Sequence, residues 1–391
     1  MKKLYVVFDK LPSKSEGGLV ATYIDFVDEL SSAFDIQFVS VFRSAPTDID
    51  EFKDIPIVTL VDRSIDNRFY RVADYFLKGH IGKGLFALWS SVLFFASIPL
   101  ARIKTNRLLR NEAVVSVAPV PSVFIGSSVR FIQEIHANFE YFWGESLLGR
   151  MQSSMMQRPT LTLFRNKTDA EKGKALFPSS YIYNCFNLEK AKRLSCEQAA
   201  CSPRPNALFV GRLAEQKDPI RLLEIASLVK QLIPSFSLDI YGTGDLRGRL
   251  ESEIRKKGLE DTVFLKGATS DKTIYRNYDM LWLTSKFEGF GLVIIEAAAN
   301  QVPTISVNWG DAAGEIIRNG ESGYIAKDNE GFARYAVRLL QNEDLRMQMG
   351  NDAFRDYRAR FSCEAHKARW LDIFASVYPG TCEASRNCDV E

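Results

Sequence analysis

Apolar and polar positions along the chain fall into blocks whose period switches between that of a strand and that of a helix. Lys3 to Phe8 (KLYVVF) is a short apolar, β-branched run, and after the loop Asp9 to Gly18 the residues Val20, Ile24, Val27 and Leu30 recur at helical spacing on one face. Strand-like runs follow at Ile36 to Val41, Ile55 to Leu60, Ala113 to Val117 and Val129 to Ile135, with helical stretches between them. The second half repeats this rhythm. Strands at Ala207 to Val210, Ser237 to Tyr241, Val263 to Leu265, Met280 to Thr284 and Thr304 to Val307 alternate with helices from Pro219 to Leu232, Leu246 to Lys257, Lys272 to Tyr278 and Leu292 to Asn300. Such alternation predicts an α/β protein of two Rossmann-like domains facing an interdomain cleft, where the carboxyl ends of parallel strands bind ligands. The small, polar stretch Ser195 to Pro205 marks a linker. Expected domains are therefore 1–200 and 201–365, with 366–391 forming a helix that packs back across the boundary and a tail.

Composition narrows the class. With 391 residues and 46% apolar content, the chain can bury two large cores. Fifty Lys+Arg against 48 Asp+Glu leave a formal charge of only +2, too little for a general polyanion binder, so no nucleic-acid partner is expected and any phosphate site must be local. The six cysteines form no CxxC pair and no disulfide framework, and the apolar run at the N-terminus is too short for a signal peptide. A cytoplasmic protein is expected.

One segment complicates this. Gly84 to Ala101 (GLFALWSSVLFFASIPLA) carries no charge, while Lys78, Lys83, Arg102, Lys104, Arg107 and Arg110 flank it. Its apolar face reads first as the buried side of a helix in the N-terminal domain. Peripheral contact of 84–110 with the inner face of the cell membrane is the second reading, and the two are compatible.

The densest chemistry lies in Ser285 to Glu296 (SKFEGFGLVIIE), directly after the strand at 280–284. Gly289 and Gly291 let the backbone approach a ligand, and the helix starting near Leu292 directs N–H groups and the positive end of its dipole at an anion. Glu288 before that helix and Glu296 inside it supply acceptors for ligand hydroxyls, although a surface Glu288 and a dipole-paired Glu296 would fit the same pattern. In VGRLAEQKD, Arg212 and Lys217 follow a strand and offer a planar fork and a point charge, a pairing suited to a diphosphate or, equally, to a solvated loop. Gly17-Gly18, between the first strand and first helix, is a weaker signal of the same kind. The lone DxD string, Asp48-Ile49-Asp50, reads as a surface turn, and no metal or cofactor is expected.

In order and spacing, VGRLAEQKD, LDIYGTGDLRGRLE, VFLKGATSDKTIYRNYDMLWLTSKFEGFGLVIIEAAANQVPTISV and GEIIRNGESGYI resemble the retaining glycosyltransferases of family four, the group 1 glycosyl transferases of GT-B fold. The resemblance runs from Ala207 to Ile325; in the first half it rests on Gly17-Gly18 and on His136 in FIQEIHAN. It implies that Arg212 and Lys217 hold the diphosphate of a nucleotide sugar and that Glu296 binds the ribose. Glu288, with Gly289 and the backbone amides of Phe290, Gly291 and Leu292, would orient the donor sugar. His136 would touch that sugar and Gly17-Gly18 would close over its phosphate. The chain departs from the family at Asn300-Gln301-Val302-Pro303, where a glycine usually precedes the helix-ending proline, and at Asn184-Cys185-Phe186-Asn187 before the linker.

The expected activity is transfer of a hexose or derivative, with retention, from a nucleotide diphosphate sugar (UDP favoured over GDP) to a hydroxyl of a cell-envelope glycan or lipid-linked acceptor. A nucleotide-sugar epimerase, a sucrose-type transferase and a non-catalytic nucleotide-sugar-binding subunit are the alternatives. The oligomeric state is not legible.

Overall fold

The structure is a computed structural model that describes residues 2–13, 18–44, 48–62, 75, 80–136, 159–194 and 206–379. The expected linker at Ser195 to Pro205, Gly17 and the tail after Pro379 lie outside the described residues. The chain divides into two compact units, Met1–Ile182 with Lys367–Glu391, and Tyr183–His366.

The first unit is built on a seven-stranded sheet in the order β3-β2-β1-β4-β5-β6-β7, parallel at every pairing. Its strands are β1 (Lys2–Phe8), β2 (Phe34–Phe42), β3 (Ile57–Val61), β4 (Ala113–Ser116), β5 (Ile132–Ile135), β6 (Leu161–Phe164) and β7 (Ser179–Tyr181). Both faces of β1 are covered, as a central parallel strand requires. Leu4, Val6 and Phe8 pack on the side of helix Gly18–Leu30, where Trp370, Ile373 and Phe374 of helix Cys363–Val377 complete the core. Tyr5 and Val7 face the opposite side, with Phe42, Phe94 and Phe124.

The long helix Ile81–Leu108 corrects one expectation. Its buried stripe is narrow (Gly84, Ala87, Ser90, Phe94, Ala101 and Thr105), and most of its large apolar side chains are exposed. A helix apolar on every side has no moment to show which face turns inward, so sequence alone overstated the burial.

The second unit contains a six-stranded sheet, β10-β9-β8-β11-β12-β13, again parallel throughout. It comprises β8 (Asn206–Val210), β9 (Ser237–Tyr241), β10 (Val263–Gly267), β11 (Met280–Leu283), β12 (Thr304–Val307) and β13 (Gly323–Ala326). The stretch expected as a helix at Lys272 to Tyr278 is only a 3-10 turn, Ile274–Asn277. In both sheets the order reverses beside the first strand, so topological switch points lie between β1 and β4 and between β8 and β11. Ligands of such sheets sit outside the strand carboxyl ends at these points, and the two strings richest in candidate chemistry follow β8 and β11.

The helix after the second string ends in an uncommon way. Gln301, just before Val302-Pro303, adopts φ +60 although it is not a glycine. A side chain here crowds its own carbonyl and costs about 1–2 kcal/mol. The turn is held by Gln301 N–H on Ala298 O (3.1 Å) and Val302 N–H on Ala297 O (3.0 Å).

Candidate active site

The loop after β8 and the loop after β11 are joined by a ladder of specific contacts. Lys286 N–H donates to Gln216 O (2.9 Å), Gln216 Nε2 donates to Phe287 O (3.1 Å), and Thr284 Oγ1 donates to Lys217 O (3.0 Å). At the centre, Lys217 Nζ lies 2.5 Å from Glu288 Oε1, and Ser285 Oγ donates to the same oxygen. The structure thus brings Lys217 and Glu288 together beside Gly289, with both side chains largely out of water. Glu288 is no surface residue. Arg212 is exposed and reaches Gln216 Oε1 at 3.4 Å, which sets it at the open side of the same loop.

Helix Leu292–Ala299 starts here. Gly291 occupies its N-cap at φ +85, a conformation that side chains disfavour, and a Cβ there would meet Ile294 Cδ1 at 2.8 Å. Phe290 turns inward against Tyr183 and Phe361, which fixes the backbone immediately before the helix. The first amides of a helix lack intrahelical partners, so this turn presents donors and the positive dipole end next to the Lys217 ammonium. Glu296, on the second turn, is buried and accepts from Lys272 Nζ (2.8 Å) and from Tyr275 Oη. Burial, and then the Glu296 charge, push the Tyr275 phenol well above its ordinary range, so it remains a hydrogen-bond donor.

Several supporting residues escaped the sequence reading. Gly242 and Gly244 form the floor under the Arg212 loop. A Cβ on Gly242 would come 1.8 Å from Gly211 O, and one on Gly244 would come 2.4 Å from Leu213 O. Leu213 N–H donates to Thr243 O (2.8 Å), so the GTG string is the surface on which the Arg212 loop rests. The need for glycine in this string shows only in the tertiary approach. Lys272 and Tyr275 were likewise missed, because their segment was expected to be an ordinary helix.

In the first unit, His136 follows β5 and faces a cluster that was not foreseen. Glu134, at 1% side-chain exposure, accepts from Tyr23 Oη and from Arg165 Nη2. Arg165 Nε donates to His136 Nδ1 (3.3 Å), while Tyr23 Oη lies 3.2 Å from His136 Nε2. Burial and then the neighbouring Arg165 charge hold the His136 pKa well below its usual value, so the ring is neutral at physiological pH. Arg165 Nη2 also lies 3.1 Å from His136 Nε2, so the guanidinium faces both ring nitrogens. A glutamate inside the apolar string FIQEI was the available signal, since a carboxylate in a buried strand requires a partner. Gly18 begins helix Gly18–Leu30. Asp50 pairs with Lys53 at 2.5 Å on the surface, while Ile49 of the Asp48-Ile49-Asp50 string is buried in the core.

Residues 197–356 match the family model of the glycosyl transferases group 1. This segment contains the whole Lys217–Glu288–Glu296 arrangement. Among curated relatives, the poly(glycerol-phosphate) alpha-glucosyltransferase of Bacillus subtilis is 31% identical over 159 residues, 39% of this chain and 23% of that protein. The poly(ribitol-phosphate) alpha-N-acetylglucosaminyltransferase of Staphylococcus aureus is 27% identical over 170 residues, 43% of this chain and 34% of that protein. The chain thus matches only about a quarter to a third of the length of these relatives.

Solved structures extend the likeness to both units. A mutant of S. aureus TarM in complex with fondaparinux, alpha-GlcNAc-glycerol and UDP aligns at a TM-score of 0.69 and 14% identity, covering 96% of this chain and 100% of that one. Anabaena HepE in complex with UDP-glucose aligns at 0.67 and 15% identity, with coverage of 96% and 100%. The fold is that of the GT-B glycosyltransferases, an α/β pair of parallel-sheet domains.

Proposed function

We propose that the protein is a retaining glycosyltransferase of family four, working in the cytoplasm, that transfers a hexose or hexose derivative from a UDP-sugar to a hydroxyl of a cell-envelope glycan or lipid-linked acceptor. The observation that carries the proposal is the Lys217–Glu288 pair at the mouth of the Gly291-capped helix, placed at the β8/β11 switch point. Supporting it are the match of residues 197–356 to the group 1 family, the glycan-building names of the relatives, and the UDP complexes of proteins that share the fold.

In this reading Arg212 and Lys217 grip the diphosphate, and the Phe290–Leu292 amides complete its cradle. Glu288, released from Lys217 when phosphate takes the ammonium, accepts from donor-sugar hydroxyls. Glu296 accepts from the ribose in the geometry that Lys272 and Tyr275 fix. The bond from the anomeric carbon to the diphosphate oxygen breaks with its electron pair passing to that oxygen. The acceptor hydroxyl attacks from the face the diphosphate leaves, and its proton moves to the departing phosphate. Fixed cations and amides stabilise the growing negative charge electrostatically, and the reading needs no metal for that task. The roles of His136 as a contact to the donor sugar and of Gly17-Gly18 over its phosphate rest on the family resemblance. A neutral His136 ring suits hydrogen bonding to a sugar hydroxyl.

The experiment is incubation of the purified chain with radiolabelled UDP- and GDP-sugars, with and without hydroxyl acceptors and chelator, followed by NMR assignment of the product anomer. The proposal expects UDP-sugar consumption that requires acceptor, survives chelator and yields the donor's own anomeric configuration. Conversion of donor without acceptor would favour an epimerase, and an inverted product would overturn retention.

A further inference from the structure

The outer face of helix Ile81–Leu108 is apolar over most of its length. At 100° per residue, Ile81, Leu85, Trp89, Val92 and Ile103 fall on one side, opposite the buried stripe through Ala87, Phe94 and Ala101. Trp89 is 60% exposed and Ile81 64%, so these are not the margins of a core. Beside this face a groove of ≈ 370 Å³ runs onto the edge strand β3 between Leu60, Val61, Leu93 and Leu100. An exposed apolar surface of this extent marks a place of contact.

Charge selects the partner. The helix contains no Asp or Glu, and exposed Arg102, Lys104, Arg107 and Arg110 gather at its C-terminal end. A second copy would offer the same helix face, beside which the groove carboxylate Asp62 is already paired with Arg43 (2.5 Å), whereas an anionic bilayer supplies phosphates beside hydrocarbon. The helix is long and apolar enough to cross a membrane, but its inner stripe is committed to the sheet of its own unit. Phe94 packs edge-on against Phe124, Thr105 Oγ1 donates to Phe124 O (3.0 Å), Arg102 Nε donates to Val123 O (2.9 Å) and Lys104 Nζ donates to Leu60 O (2.6 Å). Crossing would strip all of these away.

We infer that the outer face of Ile81–Leu108 lies in the plane of an anionic lipid surface, with the Trp89 side in the acyl boundary and the C-terminal arginines on headgroup phosphates. The inference uses no assignment of donor or chemistry, so it stands or falls separately from the glycosyltransferase reading.

The test is flotation of the purified full chain with vesicles of phosphatidylcholine alone or mixed with phosphatidylglycerol, at low and high salt. The wild type floats with the anionic vesicles at low salt and is released by a carbonate wash. Leu85→Ser with Trp89→Ser, both at exposed positions, lowers binding at least about tenfold. Arg107→Gln with Arg110→Gln lowers binding to anionic vesicles about thirtyfold at low salt, a difference that high salt erases. Unchanged melting temperatures show that the variants are folded. A wild type that stays at the bottom of the gradient overturns the inference. So does a carbonate-resistant wild type, an apolar pair variant that floats normally, or a wild-type dimer by light scattering that this variant converts to monomer.

Discussion

Lys217 and Glu288 are an ion pair in a place where ion pairs are costly, and this makes them the sharpest probe of the site. Their charged atoms are 2.5 Å apart, with side-chain exposures of 15% and 7%. At that separation the attraction is about 7 kcal/mol for an effective dielectric of ~20, and lost hydration offsets most of it. Deleting one partner leaves the other buried without compensation, at a cost of about 3–5 kcal/mol, whereas deleting both removes penalty and attraction together. We therefore expect Lys217→Met to destabilise by about 3 kcal/mol. Glu288→Gln costs less, because the Lys217 stem can carry its ammonium toward water. The double variant should be more stable than the sum of the single effects by about 2 kcal/mol in urea unfolding. Under the proposed function activity behaves differently, since there Lys217 holds the phosphate and Glu288 the sugar. Transfer of radiolabel from donor should fall at least about a hundredfold in each single variant and stay there in the double. Additive stabilities would show that the two charges do not feel each other. A double variant with recovered transfer would show that the pair is only structural, and either result refutes the reasoning.

Other consequences follow from packing and charge. Gly242→Ala drives a Cβ into Gly211 O, so stability should drop by about 2–3 kcal/mol, and UDP should raise the melting temperature less than in the wild type. Gln301→Gly relieves a left-handed side chain and should stabilise by about 0.5–1 kcal/mol in urea unfolding with unchanged transfer, while an equal loss would contradict the strain argument. Because the folded His136 pKa is depressed, its site contributes fully above the unfolded value near 6.5 and loses that contribution as pH falls below it. Between about pH 6 and 5 the wild type should lose up to about 1.4 kcal/mol more stability per pH unit than His136→Gln, and parallel pH profiles would rule out a ring held neutral.

What the sequence revealed and what it hid divide along a physical line. Arg212, Lys217, Glu288 and Gly291 were legible because each follows directly on a strand or opens a helix, so local order along the chain reports their position. The residues that hold them were hidden by distance. Gly242 matters through its approach to Gly211, Tyr275 through Glu296, and Arg165 through Glu134 and His136, which lie 31 and 29 positions away. Periodicity misled where it carried no directional information, as in the long apolar helix, and where a short 3-10 turn imitated a helix at Ile274–Asn277. In Asn300-Gln301-Val302-Pro303, where a glycine was expected before the proline, Gln301 takes a left-handed turn without being glycine, so the surrounding packing dictates the conformation there.

The most direct test of the central claim is calorimetric titration of the full chain with UDP and with uridine, repeated on Lys217→Met. If the loop after β8 and the turn before Leu292 together hold a diphosphate, the wild type will bind UDP at least about a hundredfold more tightly than uridine, and the variant will lose most of that difference. Equal affinity for the two ligands, or a preference that survives the substitution, would contradict the account.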